Sequence, residues 1–353
     1  MAKWLSRRQI MFTGLVGILG GAGLLLNGGR LYNKSPLKKT TRNPTIIKPM
    51  GGFNLIQADH VPYGSAGFRQ SLQLADSVGA RVLAFIPFAW MENNRAARVD
   101  FGRAVHDNDL LQGIKQAHEQ GFTIMLKPHI WVEGSWAGAI EPPNGEAWEH
   151  WFDAYERVIL YYATLAQQAG CAYFAVGTEL NKSQDHPRWP LLIERVRRVY
   201  RGKIIYVAHG IEGALSVPFW PLVDEIGITL YPKMGETPNE QYIKGVMQQT
   251  EQQIARLSAR YKKPVSITEI GLMSAQNAQA EPWRSPEERQ APFDELLQAK
   301  ILSWWIETLN KPYISHVLIW RWLTDPQAGG KGDIDFTPQH KKAEESLRHL
   351  WGG

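Results

Sequence analysis

Two glutamates stand out in the 353-residue chain because each closes an apolar run: Glu179 in Ala175-Val176-Gly177-Thr178-Glu179-Leu180 and Glu269 in Val265-Ser266-Ile267-Thr268-Glu269-Ile270-Gly271. A carboxylate is costly to bury in such company without a partner or a role. One such residue is explained well enough as a strand-end acid tied to a lysine or arginine. Two of them, each following a threonine, point instead to a working pair. Carboxyl groups about 5–5.5 Å apart are what a double displacement at an acetal needs, one protonating the departing oxygen while the other attacks the anomeric carbon. Metal chemistry finds less support. The ten histidines contain no His-Glu-x-x-His, and Asp333-Ile334-Asp335 lacks the spacing of a calcium loop and reads as a solvated loop. The single cysteine, Cys171, rules out an internal disulfide framework and any Cys-based zinc or iron-sulfur site. No metal and no cofactor is expected.

For the two carboxylates to converge, the chain must bring two distant strand ends together. From residue 51 onward it alternates short apolar runs with segments of helical period. The runs begin near Gly52, Arg81, Phe122, Ala172, Lys203, Glu225, Pro264 and His316, which makes eight candidate strands. Helical periodicity fills residues 68–78, 110–120, 148–168, 191–200, 242–261 and 296–309. Gly79, Gly121, Gly170 and Gly202 fall just before the next strand, where a helix C-cap belongs. Eight such units in about 300 residues match an α/β fold with a single closed (β/α)8 TIM barrel over 51–353, with no break for a second domain. An open doubly wound sheet is the alternative, but Gly52-Phe53-Asn54-Leu55-Ile56-Gln57 supplies no phosphate-binding Gly-x-Gly-x-x-Gly after the first strand. In a barrel the fourth and seventh strands face each other across the mouth, and chemistry belongs to the C-terminal strand ends.

Composition bounds the remaining possibilities. With 44% hydrophobic and 21% charged residues, and 32 Gly and 21 Pro without a Gly-X-Y period, the chain is globular rather than fibrous or disordered. The net charge of +5 is a weak case for nucleic acid, because Lys3, Arg7, Arg8, Arg30, Lys34, Lys38, Lys39 and Arg42 precede any acidic residue and together exceed it. The 14 Trp are the compositional anomaly, and broad aromatic faces stack on sugar rings as well as on bases. Residues 10–26 are uncharged and follow Lys3, Arg7 and Arg8, so residues 1–29 read as a signal peptide or membrane anchor and 30–50 as a linker carrying Pro36, Pro44 and Pro49. Ser6-Arg7-Arg8-Gln9-Ile10-Met11-Phe12 approximates the twin-arginine export signature, with Sec insertion as the alternative. Gly17 and Gly21 form a small-xxx-small pair that a glycine-rich signal segment explains as well as helix dimerisation does. The layout places the rest of the chain outside the cytoplasm, periplasmic or extracellular, and tethered to the membrane if the segment is uncleaved.

The strand-end motifs also carry a resemblance. The chain is similar to the clan of retaining TIM-barrel glycoside hydrolases whose acid/base glutamate ends strand four and whose nucleophile ends strand seven. Most of that clan has Asn before the acid/base, where this chain has Thr178. Gly177-Thr178-Glu179-Leu180, Ile86-Pro87-Phe88-Ala89-Trp90-Met91, Leu126-Lys127-Pro128-His129, Tyr231-Pro232 and Thr268-Glu269-Ile270-Gly271 together resemble glycoside hydrolase family 113, known for β-1,4-mannan hydrolysis. The resemblance implies Glu179 as acid/base, with a pKa raised so that it carries its proton in the sugar-free protein, and Glu269 as nucleophile. Tyr231 is then placed to hydrogen-bond Glu269 and keep it ionised, unless it is an ordinary rim tyrosine. Trp320 and Trp322 alternate with Arg321 and so point to one side, where one or both could floor the cleaved sugar. Lys127 and His129 share a side of strand three and could grip sugar hydroxyls, although His129 could equally be a strand-end cap. Trp90, Trp131 and Trp136, in loops after strands two and three, are candidate stacking platforms. Asn54, His209 and Asp325 are weaker candidates at other strand ends.

The expected function is therefore retaining hydrolysis of a β-linked polysaccharide, with β-1,4-mannan preferred, and the expected partner is a polysaccharide or oligosaccharide. Two alternatives stay open on the residues alone: a noncatalytic glycan-binding or envelope-assembly barrel, and the same chemistry on another envelope glycan.

Overall fold

The structure, a computed structural model, describes residues 49–102 and 104–352. Residues 1–29, expected to be a signal or anchor, and nearly all of residues 30–50, expected to be a linker, lie outside the described residues. Among those described, no helix is long and apolar enough to cross a membrane.

Eleven strands follow in chain order: β1 (Met50–Ile56), β2 (Val82–Phe85), β3 (Phe88–Met91), β4 (Asp100–Phe101), β5 (Thr123–Leu126), β6 (His129–Val132), β7 (Tyr173–Thr178), β8 (Lys203–His209), β9 (Glu225–Leu230), β10 (Val265–Ile270) and β11 (Ile314–Leu323). Eight of them, β1, β2, β5, β7, β8, β9, β10 and β11, close into one parallel barrel in which β11 pairs back onto β1. Around it lie α1 (Ala66–Ser77), α2 (Asp107–Glu119), α3 (Gly145–Gln168), α4 (Arg188–Val199), α5 (Gly210–Ser216), α6 (Glu240–Tyr261), α7 (Glu295–Thr308) and α8 (Lys342–Gly352). The expected TIM barrel is therefore the observed one, and the open sheet is excluded because the edge it requires is paired.

Alternation along the strands separates two cores. Val82, Ala84, Met125, Tyr173, Ala175, Ile205, Val207 and Leu318 fill the barrel interior, whereas their neighbours Leu83, Phe85, Ile204 and Tyr206 pack outward against the helices. Helix starts are set by side-chain caps. Ser65, Asn144, Asn239 and Asp294 each accept a hydrogen bond from a backbone N–H in the first turn, so α1, α3, α6 and α7 begin one to three residues ahead of their apolar periodicity. Gly79, Gly121 and Gly170 take the left-handed backbone expected after a helix. Gly202 does not; a Cβ there would come 2.2 Å from the Tyr200 hydroxyl, so packing rather than conformation demands glycine. The short α5 and the terminal α8 are helices beyond those expected from the sequence.

Beside the barrel mouth sits a small sheet in the order β4-β3-β6, with β3 antiparallel to β4 and parallel to β6. Trp90 and Trp131 are therefore strand residues in register with each other, not loop residues. β2 and β3, and likewise β5 and β6, are separated at Pro87 and Pro128, which lack the N–H a continuous ladder would need.

Candidate active site

Both glutamates sit where a strand departs from regular pairing. The β7–β8 register shifts between Ala175 and Gly177, and Glu179 itself takes a left-handed backbone, with φ of 59°. The β9–β10 register shifts between Ile267 and Glu269. Ile267 and Ile270 both pack outward, so the extra residue between them re-aims the Glu269 carboxylate toward the barrel axis. Glu269 is fully buried and Glu179 only 3% exposed.

Their surroundings differ in kind. Glu269 Oε2 accepts a hydrogen bond from Lys127 Nζ at 3.0 Å, and Oε1 accepts one from the Tyr231 hydroxyl at 2.8 Å. Lys127 also lies 5.9 Å from the centroid of the Trp320 ring. Lys127 and Glu269 are both fully buried; removing one partner of such a pair costs about 3–5 kcal/mol, so the ammonium is committed to Glu269 rather than available to a sugar hydroxyl. Glu179 instead meets a hydroxyl and two imidazoles. Its Oε1 accepts from the Thr229 hydroxyl at 2.7 Å and lies 3.0 Å from His209 Nδ1, and its Oε2 lies 3.6 Å from His129 Nε2. Burial alone would raise the Glu179 pKa, but hydrogen bonds and charge from His129 and His209 outweigh it and hold the carboxyl well below its ordinary value. The raised pKa expected for an acid in the sugar-free protein is thus not found, because the proton is contested by two imidazoles that the sequence spacing did not reveal.

A pocket opens beside Glu179, walled by Gln57, Phe88, His129, Trp131, Trp136 and Trp320 among others. Trp320 sits at its edge, but Trp322 does not reach it. The β1–β11 register shifts between Asn54 and Leu55, so that Asn54 pairs with Trp320 and Leu55 with Trp322, and Arg321 is the extra residue. Strict alternation is lost. Trp320 follows Leu318 into the barrel, whereas Trp322 turns outward, fully buried against Phe53 with its indole N–H donating to Ser71 of α1. It is a packing residue. Trp90 shares the face of the small sheet that carries Phe88, His129 and Trp131. Trp136 lies over the His209 ring, with centroids 4.8 Å apart. Asn54 is fully buried, and its amide donates to the carbonyls of Thr268 and Ile319, bracing the strands of the rim from below instead of facing a ligand. Asp325 pairs with His60 at 3.0 Å.

The Asp333–Asp335 segment also differs from its sequence reading. Asp335 is buried and holds the Arg321 guanidinium through both oxygens, and Lys341 Nζ bonds Asp333 at 3.0 Å. This is an ion-pair brace behind Arg321 rather than a solvated loop. Among the described residues no group of three or more His, Cys, Asp or Glu could hold a metal ion. Thr229 was missed because a threonine inside Glu225-Ile226-Gly227-Ile228-Thr229-Leu230 carries no signal beyond β-propensity. Its place near the C-terminal end of a strand was the only clue.

Two buried carboxylates at the rim of a (β/α)8 barrel, one fastened by a cation and a phenol and the other by imidazoles, beside a pocket with aromatic walls, suit the hydrolysis of glycosidic bonds. The family model described as Glycoside Hydrolase Family 113 matches residues 56–341, most of the chain. The protein belongs to that family and is an O-glycosyl hydrolase. Among solved structures it is similar to a family 113 β-1,4-mannanase in a complex, with a TM-score of 0.75 and 22% identity over 87% of this chain and 100% of that one. It is also similar to the family 113 β-mannanase from Alicyclobacillus acidocaldarius in complex with ManMIm, again with a TM-score of 0.75 and 22% identity, over 85% and 96% of the two chains. The β-glucuronidase of Ruminococcus gnavus shares the fold at a TM-score of 0.58 and 11% identity, over 86% of this chain and 50% of that one. At these identities the likenesses carry the fold. No curated protein matches the chain.

Proposed function

We propose that this glycoside hydrolase cleaves β-1,4-linked mannan with retention of configuration, Glu179 acting as acid/base and Glu269 as nucleophile. The observation that carries the assignment of roles is the contrast between the two carboxylates. Glu269 is bonded to an ammonium and a phenolic hydroxyl, which fix both of its oxygens in place for attack on the anomeric carbon. Glu179 is bonded to groups that can give and take a proton, as a residue must that first protonates the departing sugar and then deprotonates the incoming water. Trp320 would lie under the cleaved sugar, with Phe88, Trp131 and Trp136 as stacking faces further along the chain. Mannan is favoured by the family resemblance and by the β-mannanases whose fold the chain shares.

Hydrolysis of soluble mannan, glucomannan, xylan and β-glucan oligosaccharides by the full chain, with Glu269→Ala as control, tests this reading. Cleavage of mannan that vanishes in the variant is the expected result. Glu269-dependent cleavage of another glycan alone would discard the substrate and keep the mechanism, and cleavage that persists in the variant would overturn the mechanism. We further propose that residues 1–29 export the enzyme and tether it outside the cytoplasm. Retention of the full chain in the membrane pellet after alkaline extraction is expected; release of the intact chain would overturn the tether, and release of a shortened chain would show that the segment is cleaved.

A further inference from the structure

The hydrogen bonds around His129 restrict where its proton can be. Its Nδ1 lies 3.2 Å from the Ile130 carbonyl oxygen, which can only accept, so Nδ1 carries a hydrogen. A neutral His129 therefore turns a bare Nε2 toward Glu179 Oε2, 3.6 Å away. Two lone pairs facing one another repel unless a proton lies between them. The other oxygen, Oε1, already meets the Thr229 hydroxyl and His209 Nδ1, which leaves Oε2 as the oxygen able to exchange a proton with a glycosidic oxygen. Both side chains are nearly buried and both line the pocket. The charged and titratable groups facing the pair are few. Glu179 meets His209 at the end of β8, with Tyr206 of β8 near enough to feel its charge. His129 faces the Phe88 ring of β3 at 5.9 Å. Lys127, two residues before it, is bonded to Glu269, and Asp59 and Arg321 line other parts of the pocket wall.

We propose that the proton delivered to the departing sugar is held, before substrate arrives, on His129 Nε2, which faces Glu179 Oε2 at 3.6 Å, making His129 the proton-holding partner of the acid/base. This rests on the reading of Glu179 given above. In the first half-reaction the proton passes from Nε2 to Oε2 and on to the glycosidic oxygen as the bond from that oxygen to the anomeric carbon breaks, while the Glu269 carboxylate forms its bond to the same carbon. In the second, water forms a bond to the anomeric carbon, Glu269 leaves as carboxylate, and the proton lost by the water returns through Oε2 to the pair. His129 thus serves the reaction without needing to bind sugar, which departs from the role its strand position suggested.

Nitrogen-15 spectra of the histidine rings in the full, sugar-free chain test the proposal without turnover. The His129 Nε2 signal should be that of a protonated nitrogen in the wild type and move to the bare-nitrogen position in Glu179→Gln, with Nδ1 protonated in both. Identical spectra in the two proteins, or a His129 protonated on Nε2 alone, would overturn it. Kinetics of His129→Gln supply a second arm. The kcat/KM for mannohexaose should fall about a hundredfold, the scale of proton-transfer catalysis, while the kcat/KM for a dinitrophenyl β-mannoside, which reports only the first half-reaction and whose leaving group needs no proton, should change by less than about threefold. An equal loss on both substrates, or a raised KM at constant kcat, would make His129 a sugar ligand and sink the proposal. Should the wild type cleave no mannoside, the substrate reading fails while the ring spectra still decide this one.

Discussion

Tyr231 contributes one hydroxyl to the site, and what that hydroxyl is worth follows from what it touches. A hydrogen bond to a buried carboxylate contributes about 1.5–3 kcal/mol, and Tyr231 makes one to Glu269. Tyr231→Phe keeps the ring and removes only the donor. We expect kcat/KM to fall by roughly 10- to 150-fold, with the melting temperature lowered as well because the same bond exists in the sugar-free protein, as steady-state kinetics beside thermal unfolding will show. At this scale much could be read from the chain alone. Glu179, Glu269 and Tyr231 announce themselves because polar side chains at the ends of apolar runs are expensive unless employed. Lys127 was legible as a site residue but not as the partner of Glu269, since 142 positions separate the two. His209 and Thr229 were harder still, being bonded to a carboxylate 30 and 50 residues away.

Strand irregularity governs the next scale. Period-two alternation places Trp320 and Trp322 on one face, and the register shift at Arg321 puts them on opposite faces. The same device aims both carboxylates, through the shifts at Val176 and at Thr268. Gly177 has a packing reason of its own: a Cβ there would lie 2.8 Å from both Trp189 and Tyr206, two rings wedged between β7 and its helices. Gly177→Ala should therefore overpack this layer, lowering stability by about 1–3 kcal/mol. Because Glu179 lies two residues further on, activity should fall by more than the loss of folded protein explains. Denaturant titration combined with active-site counting separates the two effects. If activity per folded molecule stays at the wild-type level, β7 does not transmit its packing to the carboxylate.

Over the whole molecule, the two ends of the barrel divide the work. At the N-terminal ends of the strands, Glu225 is buried, accepts from Lys203 at 2.8 Å and from Ser315 at 2.7 Å, and lies 3.7 Å from His316. Burial pushes the pKa of His316 down from 6.5 to about 4. The unfolded chain then binds a proton that the fold refuses between those values, so stability is complete above about pH 6.5 and declines as pH falls toward 4. The full loss amounts to about 3 kcal/mol. His316→Gln should flatten that stretch of the stability-against-pH curve measured by urea unfolding, and an unchanged slope would assign the acid sensitivity to other groups. The catalytic end is held by pairs that span the chain. The sequence by itself determined the element types, the closed barrel and the two carboxylates, because apolar periodicity, helix caps and the cost of a buried charge are local properties. Only the tertiary structure decided which histidine faces which carboxylate, which of two tryptophans reaches the pocket, and that Asp335 braces Arg321. These depend on strand register and on bulges of a single residue, where a shift of one position exchanges the two faces of a strand and leaves almost no trace in local composition.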